Sequence, residues 1–142
     1  MNLLSYPRRL TSLKPYTQEL IMITEPFSTP KTVYWNGPTG GFLYSSTWAT
    51  SSGGATSFAN YPLPQDTAII DNTGLNNGQQ ISFGTPSGIW NVGTIDMSAK
   101  SVNTMTLAGS APVNLYGDWI GAAGVSTNIS SIITFFGRAL QK

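Results

Sequence analysis

The sequence predicts an all-β protein whose short strands wind into a coiled sheet, a β-solenoid of the parallel β-helix kind. A β-sandwich is the alternative. Three observations carry the prediction. First, Met105-Thr106-Leu107-Ala108-Gly109, Val113-Asn114-Leu115-Tyr116-Gly117 and Ile133-Thr134-Phe135-Phe136-Gly137 repeat one pattern, and Ile81-Ser82-Phe83-Gly84 is a shorter relative. Alternation with period 2 gives a strand one buried face, and the closing Gly marks a corner where the chain bends or reaches positive φ. Second, only 9% of residues are charged, against roughly 25% in average globular usage. Exposed helices need Lys and Glu in (i, i+4) register, whereas Ser, Thr and Asn can tile the outer face of a sheet. Third, Gly, Ser, Asn and Pro separate the apolar runs along the whole body, as turns between short strands require.

The chain divides into an extended amino-terminal arm, residues 1–31, and an all-β body, residues 32–142. Pro7, Pro15, Pro26 and Pro30 interrupt the arm, which excludes a long helix. Its Leu3, Leu4, Tyr6, Leu10 and Tyr16, with Arg8 and Arg9, make it too apolar for a free tail. These side chains are the candidates for contact with a neighbouring subunit; a frayed leader is the plainer reading. Met22 as well as Met1 suits a start.

Val33-Tyr34-Trp35-Asn36-Gly37 opens the body as a strand and a turn, followed by Gly40-Gly41, Trp48 and Gly53-Gly54. Trp35 and Trp48 suit a plug over the end of a coiled sheet, whose last turn otherwise exposes apolar surface. The alternative makes Tyr34, Trp35 and Trp48 a platform for stacking sugars. Pro62-Leu63-Pro64 leads into a buried strand, Ala68 to Ile70, closed by Asp71. Asn77-Gly78 is a hairpin or corner signal. Further strands are expected at Ile81–Phe83, Ile89–Val92, Ile95–Met97, Met105–Leu107, Val113–Trp119 and Ile129–Phe136. The repeat units centred on Leu107, Leu115 and Phe135 are unevenly spaced, the second interval being much the longer.

Charge and composition exclude several function classes. Net charge is +1, so there is no electrostatic footprint for nucleic acid. Four of the seven basic residues (Arg8, Arg9, Lys14 and Lys31) precede Thr32, while residues 32–137 carry Lys100 against Asp66, Asp71, Asp96 and Asp118. Cys and His are absent, which removes disulfides and zinc sites built on those ligands. No apolar run approaches the roughly 18–20 residues of a membrane span. The longest near the start, Leu20 to Ile23, is shorter than a secretory core of about 7–15 residues.

The order Tyr34-Trp35-x-Gly37, Trp48-x-x-Ser51-Ser52-Gly53-Gly54 and Pro64-x-Asp66-x-x-Ile69-Ile70-Asp71 resembles a module of β-solenoid structural proteins of tailed bacteriophages. Those proteins form tail fibres, tail tips and other appendages. The resemblance covers about residues 33–137, and relatives continue into further strand-Gly turns beyond the point that Lys142 reaches here. It implies a virion part such as a tail component or capsid decoration. The implied partners are other virion proteins and further copies of the chain, with no cofactor and no catalytic residues to carry over. A carbohydrate-binding or adhesin module that recognises host surface glycans is the alternative function.

Chemistry points away from catalysis. Without His or Cys, an enzyme would rely on carboxylates, hydroxyls, Lys and Tyr. Asp66 and Asp71 are the closest acidic pair of the body, yet five residues of strand span roughly 16 Å. Paired glycosidase carboxylates stand about 5–9.5 Å apart. Asp66 is expected to cap the turn after Pro64 and Asp71 to form an Asx turn into Asn72. Asp71, Asn72, Asn76 and Asn77 match no defined calcium loop. Asn128-Ile129-Ser130 is a formal glycosylation sequon, read here as a turn.

Overall fold

The computed structural model describes residues 29–43, 45–75, 77–84 and 88–137. The described protein is all-β, with no α-helix among these residues. Its strands are β1 (Thr32–Trp35), β2 (Gly40–Gly41), β3 (Trp48–Ala49), β4 (Thr67–Ile69), β5 (Gln79–Ser82) and β6 (Trp90–Val92). They continue as β7 (Thr94–Asp96), β8 (Met105–Gly109), β9 (Val113–Leu115), β10 (Trp119–Ile120), β11 (Val125–Ile129) and β12 (Ile133–Phe135).

These strands form three sheets, ordered β10-β7-β4-β1-β3, β11-β8-β5-β2 and β12-β9-β6. From β7 onward, each strand lies beside the one three places earlier in the chain, in parallel. The exception to parallel pairing is β3, which runs antiparallel along β1. The registers put Thr94 beside Thr67, Met105 beside Gln79 and Val113 beside Trp90. The next circuit sets Trp119 beside Ile95, Val125 beside Met105 and Ile133 beside Val113. In each sheet this later circuit uses a shorter length of chain than the one before it.

Parallel neighbours in register stack like residues into columns. Val33, Ala68, Ile95 and Trp119 form one; Ile81, Leu107 and Thr127 another; Val92, Leu115 and Phe135 a third. Val33, Ile81, Ile95, Leu107 and Leu115 have no solvent exposure. Burying each such aliphatic side chain contributes about 1.5–3 kcal/mol, so the columns are the core. Outward positions carry polar ladders instead. Thr106 Oγ1 lies 2.9 Å from Ser126 Oγ, and the Asn114 amide donates to Asn91 Oδ1 at 3.0 Å.

The corners explain both the uneven spacing and two strand assignments that differ from expectation. The long interval from Leu115 to Phe135 is one full circuit, since the two are register partners. The short interval from Leu107 to Leu115 only joins consecutive strands of the same circuit. Residues 113–119, expected as one strand, are β9 and β10 in two different sheets. Residues 129–136 hold the end of β11 and all of β12. Apolar periodicity overlooks a tight corner because the pattern restarts directly after it. Gly117 makes the β9–β10 corner fit: a side chain there would meet Thr94, whose backbone nitrogen would lie 2.6 Å from the added carbon. Gly109, at the β8–β9 corner, has φ 140°, a conformation that L side chains rarely adopt. Asn77-Gly78 is likewise a corner, since β4 and β5 belong to different sheets.

Candidate functional site

Of the sequence-predicted site residues, Leu3, Leu4, Tyr6, Arg8, Arg9, Leu10 and Tyr16 lie outside the described residues. The described chain begins just before Lys31, which is pinned down. Its backbone N–H donates to Asp66 Oδ1 at 3.0 Å, its ammonium lies 3.6 Å from Asp66 Oδ2, and it donates to the Ala59 carbonyl at 3.1 Å. Asp66 also accepts from Leu63 N–H at 2.8 Å. This carboxylate caps its own turn, as expected, and ties the strand before it in the stack.

Tyr34 is half-buried, but Trp35 and Trp48 are fully buried. Their rings meet edge to face at 5.3 Å, and Phe42 packs against Trp48 at 5.2 Å and against Phe83 at 4.9 Å. Both indole N–H groups are satisfied internally, Trp35 by the Gly37 carbonyl at 2.8 Å and Trp48 by that of Phe42 at 2.6 Å. Neither indole has a face left for a sugar, which corrects the stacking-platform expectation for this pair. Their surroundings match the plug: β3 closes the edge of β1, and the Phe42–Trp48–Trp35 cluster fills the space beneath.

The opposite end has no such closure among the described residues. β10, β11 and β12 are the last strands of their sheets. They bring Trp119, Thr127, Ile129, Ile133 and Phe135 around an open depression of about 370 Å³. Ile133 and Phe135 sit in the columns of Val113 and Leu115, yet Phe135 is 50% exposed where Leu115 has no exposure. From Gly117 to Gly137 the sequence carries one charge, Asp118, and no proline. Natural edges are usually blunted by charge, proline or a covering segment; among the described residues these three have no covering segment.

A second exposed feature lies at the corner after β9 and β12. Tyr116 and Phe136 stack at 5.3 Å with 16° between their planes, and each is about half exposed. The amides of Asn91 and Asn114 flank them on the same outer surface, with the Tyr116 hydroxyl 3.5 Å from Asn91 Oδ1. Residue-by-residue reading missed this pair because Tyr116 and Phe136 become neighbours only through the parallel register of β9 and β12.

The remaining polar candidates have local roles. Asp71 Oδ1 accepts from Thr73 N–H at 2.8 Å, the Asx turn expected for it. Asn72 Oδ1 accepts from the N–H groups of Ser101 and Val102, and its amide donates to Ser101 Oγ. Asn76 lies outside the described residues, which contain no group of three or more His, Cys, Asp or Glu side chains placed to hold a metal. Lys100 is the unexpected one. It is fully buried, and its ammonium has no hydrogen-bond partner among the described residues. Burial holds its pKa below the ordinary lysine value, and the Asp71 carboxylate offsets part of that effect. No described helix is long and apolar enough to cross a membrane.

No family model matches the chain, and comparison with curated proteins and with solved structures found no match either.

Proposed function

We propose that this protein is a structural component of a bacteriophage particle, built as a β-solenoid body with an arm that reaches its neighbours. The observation that carries the reading is the strand order. Parallel strands return to the same sheet at every third step, and their inward residues stack into columns that share one apolar core. Such a stack is a stiff rod with end edges suited to assembly. A nearly uncharged Ser/Thr/Asn surface associates with little desolvation cost for charges. The motif order across residues 34–71 supports a tail or capsid-surface setting. Within this reading the arm, with Leu3, Leu4, Tyr6, Arg8, Arg9, Leu10 and Tyr16, attaches the body to other virion proteins. The work is mechanical and needs no cofactor.

The test is immunogold labelling of purified particles from a lysate of the producing host, using antibody to the whole chain. Label at a fixed position on tail or capsid is the expected result. Clean particles with all of the protein in the soluble fraction would sink the proposal.

The second reading, a module for host surface glycans, is favoured by a different pair from the one expected: Tyr116 and Phe136 beside Asn91 and Asn114. Exposed stacked rings offer apolar faces, and the flanking amides offer donors and acceptors of the kind sugars use. Binding on a glycan array that disappears in Phe136→Ala without loss of folding would support it; an array without signal would remove it.

A further inference from the structure

We infer that the circuit β10–β11–β12, the last one described and uncovered among the described residues, is a self-association surface, through which two copies of this chain join end to end about a two-fold axis. The inference rests on the assembly reading above but assigns a surface and a partner that it does not.

The first ground is the mismatch between position and exposure. Trp119, Ile129, Ile133 and Phe135 continue or adjoin inward columns, so they are built to be covered by another layer, yet they stand half-buried or exposed. The second is the backbone. β10, β11 and β12 each present an outer edge with no neighbouring strand among the described residues, and unpaired edges recruit strands. The third is the asymmetry of the stack. At its other end antiparallel β3 covers the edge of β1 and the Trp35–Trp48–Phe42 cluster fills the core, while β2 and β6 end the other two sheets. A head-to-tail contact would set β10 against β3 and the open apolar depression against a core already filled by the aromatic cluster. Two bare ends are self-complementary, and the contact closes after two copies instead of growing into a fibre.

A second copy is a better occupant than an extended segment such as the arm. One extended strand would pair one edge and leave the other two, with much of the apolar depression, open to water. Another three-stranded circuit matches all three at once. A two-fold axis through the centre of β11 runs β11 antiparallel to its copy and sets the two Thr127 residues opposite each other. It also places β10 against the β12 of the second copy. Charge permits this, because Asp118 is the single charge of the circuit, whereas the arm brings Arg8, Arg9 and Lys14 to a neutral surface.

The chain has no cysteine, so a single-cysteine variant of the full chain reads the contact directly. Directly opposite residues of an antiparallel pair have Cα atoms about 4.5–5.5 Å apart, within disulfide reach. Thr127→Cys should yield a covalent dimer under mild oxidation. Ser52→Cys, exposed near the closed end, should not. In analytical ultracentrifugation the unmodified chain should sediment as a dimer. Phe135→Asp combined with Ile133→Lys should raise its dissociation constant at least about tenfold, the effect of some 1.4 kcal/mol. Circular dichroism checks that the variants remain folded. Should they unfold, hydrogen exchange on the unmodified chain decides instead: β11 amides should lose protection on dilution while β8 amides keep it.

A chain that stays monomeric, a ladder of higher oligomers, or equal cross-linking of Ser52→Cys would each overturn the inference. So would dissociation by Leu3→Asp with Leu4→Asp while the β12 variants stay dimeric, which would make the arm the occupant. None of these results touches the particle reading, whose own test is the labelling experiment.

Discussion

At one end of the stack, Trp48 of β3 and the neighbouring Phe42 are fully buried, with both indoles of the Trp35–Trp48 pair hydrogen-bonded to carbonyls. At the other, Ile133 and Phe135 occupy the same kind of inward column, yet Ile133 is only half-buried and Phe135 is exposed. The strands between are of one type, so the difference lies in how each outermost layer is finished. In these parallel sheets each added layer of strands covers one apolar layer and exposes the next. A stop therefore has to be supplied, by bulky aromatics on a short antiparallel strand at the first end. Among the described residues, β10, β11 and β12 have no such cover.

The largest expected effect comes from opening the closed end. Trp48→Ala removes the ring that both Trp35 and Phe42 pack against, and it should cost about 3–5 kcal/mol in a urea titration, the range for truncating a buried aromatic. Little change would mean that the cluster is an accessory to the fold. Next is the tie between circuits: Asp66→Ala strands the Lys31 and Leu63 amides and should cost about 2–3 kcal/mol, as expected for lost hydrogen bonds to a charged group.

A buried cation in the middle of the stack should act in the opposite direction. Lys100→Met should raise stability at neutral pH by about 1 kcal/mol by removing a buried ammonium that has no hydrogen-bond partner among the described residues. Because burial lowers the folded pKa of Lys100, the unfolded chain binds more protons between that value and about 10.5. Stability of the parent should rise with pH across this window, and thermal unfolding of Lys100→Met should lack that rise. Smallest is the bare end in the isolated subunit: Phe135→Ser should change monomer stability by less than about 0.5 kcal/mol, as for an exposed side chain. A large loss in dilute monomer would show that Phe135 is already part of a finished core, erasing the contrast between the ends.

Much of the local structure was readable from residue order. The pattern in Met105–Gly109 and Val113–Gly117 located β8 and β9 and put Met105, Leu107, Val113 and Leu115 inside, because period-2 alternation has one physical solution on a strand. Asp71 folded onto Thr73 as a short carboxylate in a turn does. The candidate surfaces were less accessible. Tyr116 with Phe136, and Lys31 with Asp66, are far apart along the chain, and nothing in either short stretch names its counterpart.

The residue types by themselves determined that the body is made of short strands with one apolar face, that corners fall at Gly, and that no Cys or His chemistry takes part. These follow from local sterics, side-chain alternation and composition. The tertiary structure alone decided which strands are neighbours, that Trp35 and Trp48 lie inside and not outside, and that among the described residues β3 covers the β1 edge while β10, β11 and β12 stay uncovered. Those outcomes depend on circuit length and parallel register, quantities set by the sum of corners and loops between strands and carried by no single residue.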